Sequence, residues 1–521
     1  MQTSAQEHWQ IHKPQVSGEH GLVASQHYLA SKAGSQILQK GGNAVDAAIA
    51  TGLMLGIVEP WMSGIGGGGY MTVYNAKQDR VQVVEFGMQA PQATSPFDYP
   101  LAGDGTNSAD SFNWPAVIND ANIHGPLAAA IPGYLKGMAL ANQTFGTLPF
   151  NTLIEPACQQ AELGLPLDWY SCSKINLMAR GLRQYRTTRE TYLSDGLPPA
   201  PNAEGLLNHL PLGSLAETYR QIQSEGPESF YTGALSRKII PDLVQAGSKI
   251  SQQDLSQYQA VVNAPLSLRY REHDVYVSGP LTAGPSIIAA LQTLSSRMPQ
   301  PAAVPDEDTY LAFADSLYSS YSDRLLNLGA GQGDSGNTSH ICCIDKEGNI
   351  VSLTQTIMSG FGSRIMLPDS GILMNNGMMW FDPRPGGPNS VLAGRKPLCN
   401  MCPVIGRKSN GDWFAVGACG GRKIFPAVFQ IASFIMDFDM DAGQAAHQPR
   451  IDVSGTEMLS MMSALPENIM RRLKHQFPEH RVRPNGVSPN LFALPQLVLQ
   501  TQGIAHGACF IPSPHACVSA A

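Results

Sequence analysis

The sequence predicts a mixed α/β fold, on three observations. Apolar residues recur at helical spacing through long stretches of the first two thirds. Short β-branched and aromatic runs come in pairs joined by polar turns. Late in the chain a strand-like run passes through a double glycine into an apolar helix. The 521 residues, 43% of them hydrophobic, suffice for a large core, and length alone allows one to three domains.

Taken in order, residues 26–39 read as a helix, broken at Gly41-Gly42. Asn43 is a fair N-cap for the next helix, which runs on through DAAIATGLMLGIV. Its many small residues let another element pack closely. GGYMTVYN and RVQVVEF read as two strands joined at AKQD. The middle, 135–325, is helix-rich, with GSLAETYRQIQSEG and LSRKIIPDLVQAG at helical spacing, and LRYREHDVYVSG reads as strands. The glycine-rich LGAGQGDSGN, 328–337, reads as an exposed, flexible lead into Thr338. Strands dominate after it, until DWFAVGACGGRKIFPAVFQIASFIMDF gives strand, turn at Gly420-Gly421, and helix. Backbone N–H groups at such a turn can receive developing negative charge. No repeat of fixed period is present.

Composition narrows the function classes. The net charge of -7 and the lack of a Lys/Arg run argue against nucleic acid. No window approaches the roughly 18 consecutive apolar residues of a membrane span. The opening MQTSAQEHWQIHKPQVSGEHG lacks the basic and apolar regions of a secretory signal, so a cytoplasmic location is expected. Nine scattered cysteines do not make a disulfide framework. Cys399 and Cys402 have CxxC spacing, but no second pair completes a metal site, so buried thiols are expected and neither metal nor cofactor.

The hairpin NTSHICCIDKEGNIVSLTQT carries the chemistry. A turn centred near Lys346 and Glu347 sets Thr338 opposite Gln355 or Thr356, so Thr356 should lie beside Thr338. A threonine hydroxyl is a weak nucleophile without a base. If the threonine is N-terminal, its own α-amine is that base, with a pKa of roughly 7.7–8.0. This requires a cut between Asn337 and Thr338. The plain alternative is that both threonines are ordinary strand residues. His340 points to the opposite face from Ser339 and is expected to be structural.

The whole chain resembles the γ-glutamyltransferase family of N-terminal-nucleophile hydrolases. The matching pieces are GLVAS (21–25), ILQKGGNAVDAAIA (37–50), GIGGGGYMTVY (64–74), AIPG (130–133), GPESFYTG (226–233), ISQQDLSQYQAVV (250–262), the hairpin, SGILMNN (370–376), RKPLCNMCPVI (395–405) and GACGG (417–421). They fall in family order over nearly the whole chain. The resemblance implies a four-layer αββα sandwich and a precursor that cuts itself. The fragments would be 1–337 and 338–521, one intertwined domain, since neither half carries a complete core. It implies Thr338 as nucleophile, Thr356 as its hydrogen-bonding partner, and Gly420 and Gly421 as the oxyanion glycines.

The chain departs from the family where an amino acid's α-groups are gripped. The carboxylate-binding arginine after the second strand is Gly87, in FGMQAP. The family's Asn-Asn-Gln-Met-Asp-Asp reads Asn375-Asn376-Gly377-Met378-Met379-Trp380, without the ammonium-binding aspartate. The asparagine two after the second threonine is Met358, and the paired serines are Cys399 and Asn400. The stretch from Phe381 to Arg395 is short for the family's lid. Arg364 and Arg384 are new in this neighbourhood, and either could bind a carboxylate. Trp380 could narrow the pocket. The implied activity is hydrolysis of a small amide bearing a carboxylate but no α-amino group, oxamate being one example. A γ-glutamyltransferase or glutathione hydrolase, or a cephalosporin (glutaryl) acylase, is the alternative. Partners are the small-molecule amide and the two fragments of one precursor.

Overall fold

The computed structural model describes residues 13–103, 105–108, 113–329, 337–454, 458–484, 486–487, 491–511 and 513–521. The first twelve residues of the polar N-terminus, and most of the glycine-rich lead into Thr338, lie outside them. Two seven-stranded sheets form the centre. In the first, the order is Cys517–Ala520, Gly21–Ser25, Asn337–Asp345, Ile350–Met358, Gly68–Asn75, Arg80–Phe86 and Val261–Asn263. In the second it is Val16–Gly18, Ile504–Cys509, Leu494–Thr501, Trp413–Cys419, Val404–Arg407, His273–Val277 and Leu266–Tyr270. The strand pairings within both sheets are antiparallel.

Three apolar clusters show the layers. One lies between the first sheet and its helices, joining Ile341, Cys343, Val351 and Leu353 to helices Tyr28–Gln39 and Ala44–Val58. A second lies under helices Gly284–Arg297, Glu307–Leu326 and Ile424–Asp437, against Val404, Phe414 and Val416 of the second sheet. The third fills the space between the sheets, with Leu22, Cys342, Ile344, Ile405 and Ala415, and the Tyr74 and Trp413 rings stacked 3.7 Å apart. This is the αββα sandwich.

The hairpin occupies the middle of the first sheet, so it is covered on both faces and reads as a nearly continuous apolar run. The helix Ala44–Val58 packs on it and is buried at every position, which explains its unbroken small and apolar sequence. Asn43 caps it as expected: its side chain accepts from the Val45 and Asp46 N–H groups, and Asp46 answers the Asn43 N–H. Such a box contributes about 1 kcal/mol. Both halves of the chain contribute strands to each sheet, so a cut at 337–338 would leave the two fragments paired within shared sheets. Among the described residues no helix is long and apolar enough to cross a membrane.

Candidate active site

The hairpin strands are Asn337–Asp345 and Ile350–Met358. Their register sets Ser339 opposite Gln355 and Asn337 opposite Met358, with a shift between them. Thr338 sits at that shift, level with Thr356 and Ile357. The bulge was not expected; it frees Thr338 from the ladder and re-aims its side chain. Thr338 is buried, and side chains alternate beyond it. Ser339, Ile341 and Cys343 face the helices, while His340, Cys342 and Ile344 face the other sheet.

Thr356 contacts the junction itself. Its hydroxyl donates to the Asn337 carbonyl oxygen and accepts from the Met358 N–H at 2.7 Å. It therefore stands at the carbonyl of the peptide bond between Asn337 and Thr338. Met358 has φ 88°, and Phe361 and Arg364 follow at 60° and 64°. Such left-handed values cost a non-glycine residue on the order of 1 kcal/mol each. The segment after Thr356 is thus held under strain by its surroundings.

The strand Trp413–Cys419 brings the glycine turn to the same level. The Ser352 hydroxyl donates to the Val416 carbonyl at 3.3 Å, and Gly417 lies on the His340 ring. Rising numbers on one strand match falling numbers on the other, so Cys419 and Gly420 continue towards Thr338. Gly420 and Gly421 have φ 134° and 58°, values that favour glycine, and the helix Ile424–Asp437 begins just beyond. His340 is fully buried, its Nδ1 2.9 Å from Thr354 Oγ1, and burial pushes its pKa down to about 3. It stays neutral and structural.

Around this centre the arginines are already engaged. Arg384 is half-exposed and folds back onto Asp382, at 2.8 Å. The Arg364 guanidinium packs against Gly181 of helix Trp169–Leu182. A third arginine, not anticipated, is buried beside Asn400: Arg324 donates to the carbonyls of Thr282 and Cys399, and to Asn400 Oδ1 at 3.1 Å. In sequence it is only one of several charges on helix Glu307–Leu326, next to Asp323. All nine thiols are free. Burial pushes Cys399 and Cys419 up to about 12, so neither is a thiolate nucleophile. Among the described residues no group of three or more His, Cys, Asp or Glu is arranged to hold a metal.

Comparison with known proteins supplies the lineage. A family model described as gamma-glutamyltranspeptidase matches residues 30–332 and 330–509. The chain belongs to the γ-glutamyltranspeptidase family. It is 28% identical to the glutathione hydrolase proenzyme of Bacillus subtilis (strain 168) over 524 residues, 88% of this chain and 86% of that one. It is 29% identical to the acylase ACY 1 proenzyme of Pseudomonas sp. (strain V22) over 498 residues, covering 88% and 87%. The structure of cephalosporin acylase from Bacillus halodurans superposes with a TM-score of 0.84 over 100% of this chain and 99% of that one, at 22% identity. The chain is therefore an amide-acting hydrolase with the N-terminal-nucleophile fold.

The positions where the resemblance implies an amino-acid clamp lie in or beside a buried apolar cluster. Met88, Met358, Met378, Met379, Trp380 and Cys399 lie in one buried cluster. At the former arginine position, a Cβ on Gly87 would stand 2.8 Å from the Tyr70 hydroxyl, which itself reaches the Cys399 thiol. Tyr70 thus occupies the space that a side chain at 87 would need. Trp380 is buried and held by a bond from Asn389 Nδ2 to its carbonyl, at 2.7 Å.

Proposed function

We propose that the chain is a self-processing amidohydrolase with Thr338 as nucleophile, acting on the amide of a small acid that lacks an α-amino group, such as oxamate. The apolar cluster of Met88, Met358, Met379, Trp380 and Cys399 carries this reading. An α-ammonium placed against that wall would be buried without a partner, at a cost of several kcal/mol. Arg324 holds the amide oxygen of Asn400, which turns the Asn400 NH2 outward as a donor for a substrate carboxylate.

The chemistry follows from the residues. Self-cleavage separates 1–337 from 338–521 and frees the Thr338 α-amine. The Thr338 hydroxyl attacks the amide carbonyl while that amine takes its proton. The Gly420 and Gly421 amides receive the oxyanion. The proton passes to the departing nitrogen, and water then releases the acid. The reaction needs no cofactor. A cytoplasmic site of action is part of the proposal. A glutaryl-type acylase is the second reading, because methionine side chains also accommodate a methylene chain.

The test is ammonia release from oxamate, run beside a glutaryl amide and a γ-glutamyl anilide. Turnover of oxamate, with the γ-glutamyl rate on the order of 100-fold lower, is expected. Preference for the glutaryl compound would replace the first reading with the second, and fast γ-glutamyl turnover would overturn both. Thr356→Val keeps the shape and removes the donor on the Asn337 carbonyl. Maturation, followed on gels, should slow by roughly 100-fold or more, as when an oxyanion donor is lost. Maturation at the normal rate would remove Thr356 from the reaction.

A further inference from the structure

A buried carboxyl near the junction is left unused by the chemistry above. Glu59 ends the helix Ala44–Val58 and is 3% exposed. Its Oε2 is buried with no hydrogen-bond partner among the described residues, and so is Trp61 Nε1 two residues on. Capping does not require the carboxyl, because the Glu59 backbone N–H alone donates to Leu55. A carboxyl oxygen kept from water without a hydrogen-bond partner is costly, and such groups cluster at functional sites.

Three elements bring the segment of Glu59 into the neighbourhood of the bond to be cut. Its own segment is fastened to the hairpin: the Met62 carbonyl accepts from the Ile357 N–H at 3.2 Å, and the Ser63 and Ser339 hydroxyls are 2.9 Å apart. The charge of Lys174, on helix Trp169–Leu182, is felt at Glu59. One turn along the same helix face, Met178 Sδ and Asn337 Nδ2 both lie within 3.5 Å of one point at Gly360. From the second sheet comes Cys419, adjacent to Gly420 and within electrostatic reach of both Glu59 and Lys174.

We propose that Glu59 handles the proton of self-cleavage at Asn337–Thr338. The inference rests on Thr338 being the nucleophile. As Thr338 Oγ1 bonds to the Asn337 carbonyl carbon, its proton passes through a solvent water to the Glu59 carboxylate. The C–N bond then breaks, and the same proton returns to the Thr338 nitrogen, leaving an ester. Water hydrolyses the ester to the Asn337 carboxylate, the Thr338 hydroxyl and the α-amine. Thr356 holds the carbonyl oxygen meanwhile.

Burial pushes the Glu59 carboxyl up to about 8, with Lys174 pulling it down and Asp168 pushing it up. Cys419 beside it stays a neutral thiol. Behind Asp168, His515 Nε2 lies at 2.8 Å, and His27, near 3, is neutral. The carboxylate is the accepting form, so the maturation rate should climb with pH and level off above about 8.

The experiment is a pulse of cell-free synthesis, chased at a series of pH values, with the cut followed by mass. Glu59→Gln should mature at least tenfold more slowly at pH 8, with the climb abolished. Lys174→Met removes the charge that favours the carboxylate, so the climb should move to higher pH. A Glu59→Gln chain that matures at the normal rate with the normal climb overturns the proposal. If Glu59→Gln does not fold, by its circular dichroism, the Lys174→Met profile decides, and an unmoved climb overturns the proposal. Cleavage of a Thr338→Ala chain would instead bring down the nucleophile reading, a separate failure.

Discussion

Thr338→Ala should leave a single chain of 521 residues with no turnover of any amide. One hydroxyl is asked to do two things. It attacks the Asn337 carbonyl in the precursor and the substrate carbonyl in the mature enzyme, so its loss stops both. Residual turnover should be at least about 10⁴-fold down, the scale seen when a nucleophile is removed from a hydrolase. The variant should fold normally, because a buried side chain at a bulge loses only a hydroxyl and a methyl group. An intact-mass spectrum decides. Two masses, with a new N-terminal residue at 338, would show that another group cuts the chain and that the nucleophile lies elsewhere. Thr338→Ser separates the two duties: a hydroxyl is retained, so cleavage should persist.

Much of this centre was legible because its signals are local. The hairpin shows in its turn and its two apolar runs, and the capping of Asn43 shows in three letters. The strand-glycine-helix passage at 413–437 is equally plain. What was not legible arises from distant parts of the chain meeting. The bulge at Thr338 shows only when the two strands are paired, where the Thr356 hydroxyl bonds both the Asn337 carbonyl and the Met358 N–H. Arg324 looks like one charge on a long helix until the fold brings Asn400 to it, across 76 positions of sequence. Glu59 looks like a helix end, and only the fold shows it to be buried. The arginines that stood out in sequence, 364 and 384, stood out because they were new, and novelty says nothing of where a side chain is held. Arg384 has Asp382 two residues away, a local pairing that sequence alone could have offered.

The second large effect is expected far from any reacting atom, at Gly417→Ala. Gly417 is buried in the strand Trp413–Cys419, paired to Gln496. A Cβ there would stand 2.2 Å from His340 Cε1 and 2.5 Å from both ring nitrogens. Real Cβ atoms do not approach a ring so closely, so the ring or the strand has to move. The ring is fixed at both nitrogens, with Nδ1 2.9 Å from Thr354 Oγ1 and Nε2 3.1 Å from Cys342 Sγ. Forcing extra volume into such a place costs about 1–3 kcal/mol, and each hydrogen bond lost adds about 1 kcal/mol. A loss of roughly 3–5 kcal/mol is therefore expected, read as a lower denaturant midpoint. The damage should extend to function, because His340 lies two residues beyond Thr338 and Gly417 three before Gly420. Parting the sheets there draws the nucleophile away from the turn that would hold the oxyanion. His340→Ala in the same chain removes the obstacle, so the double variant should be more stable than the sum of the single effects predicts, with a coupling of about 1–3 kcal/mol. A Gly417→Ala protein within about 1 kcal/mol of the parent, or strictly additive effects, would mean that the sheets do not approach each other over His340, and that the glycine turn reaches Thr338 by some other path.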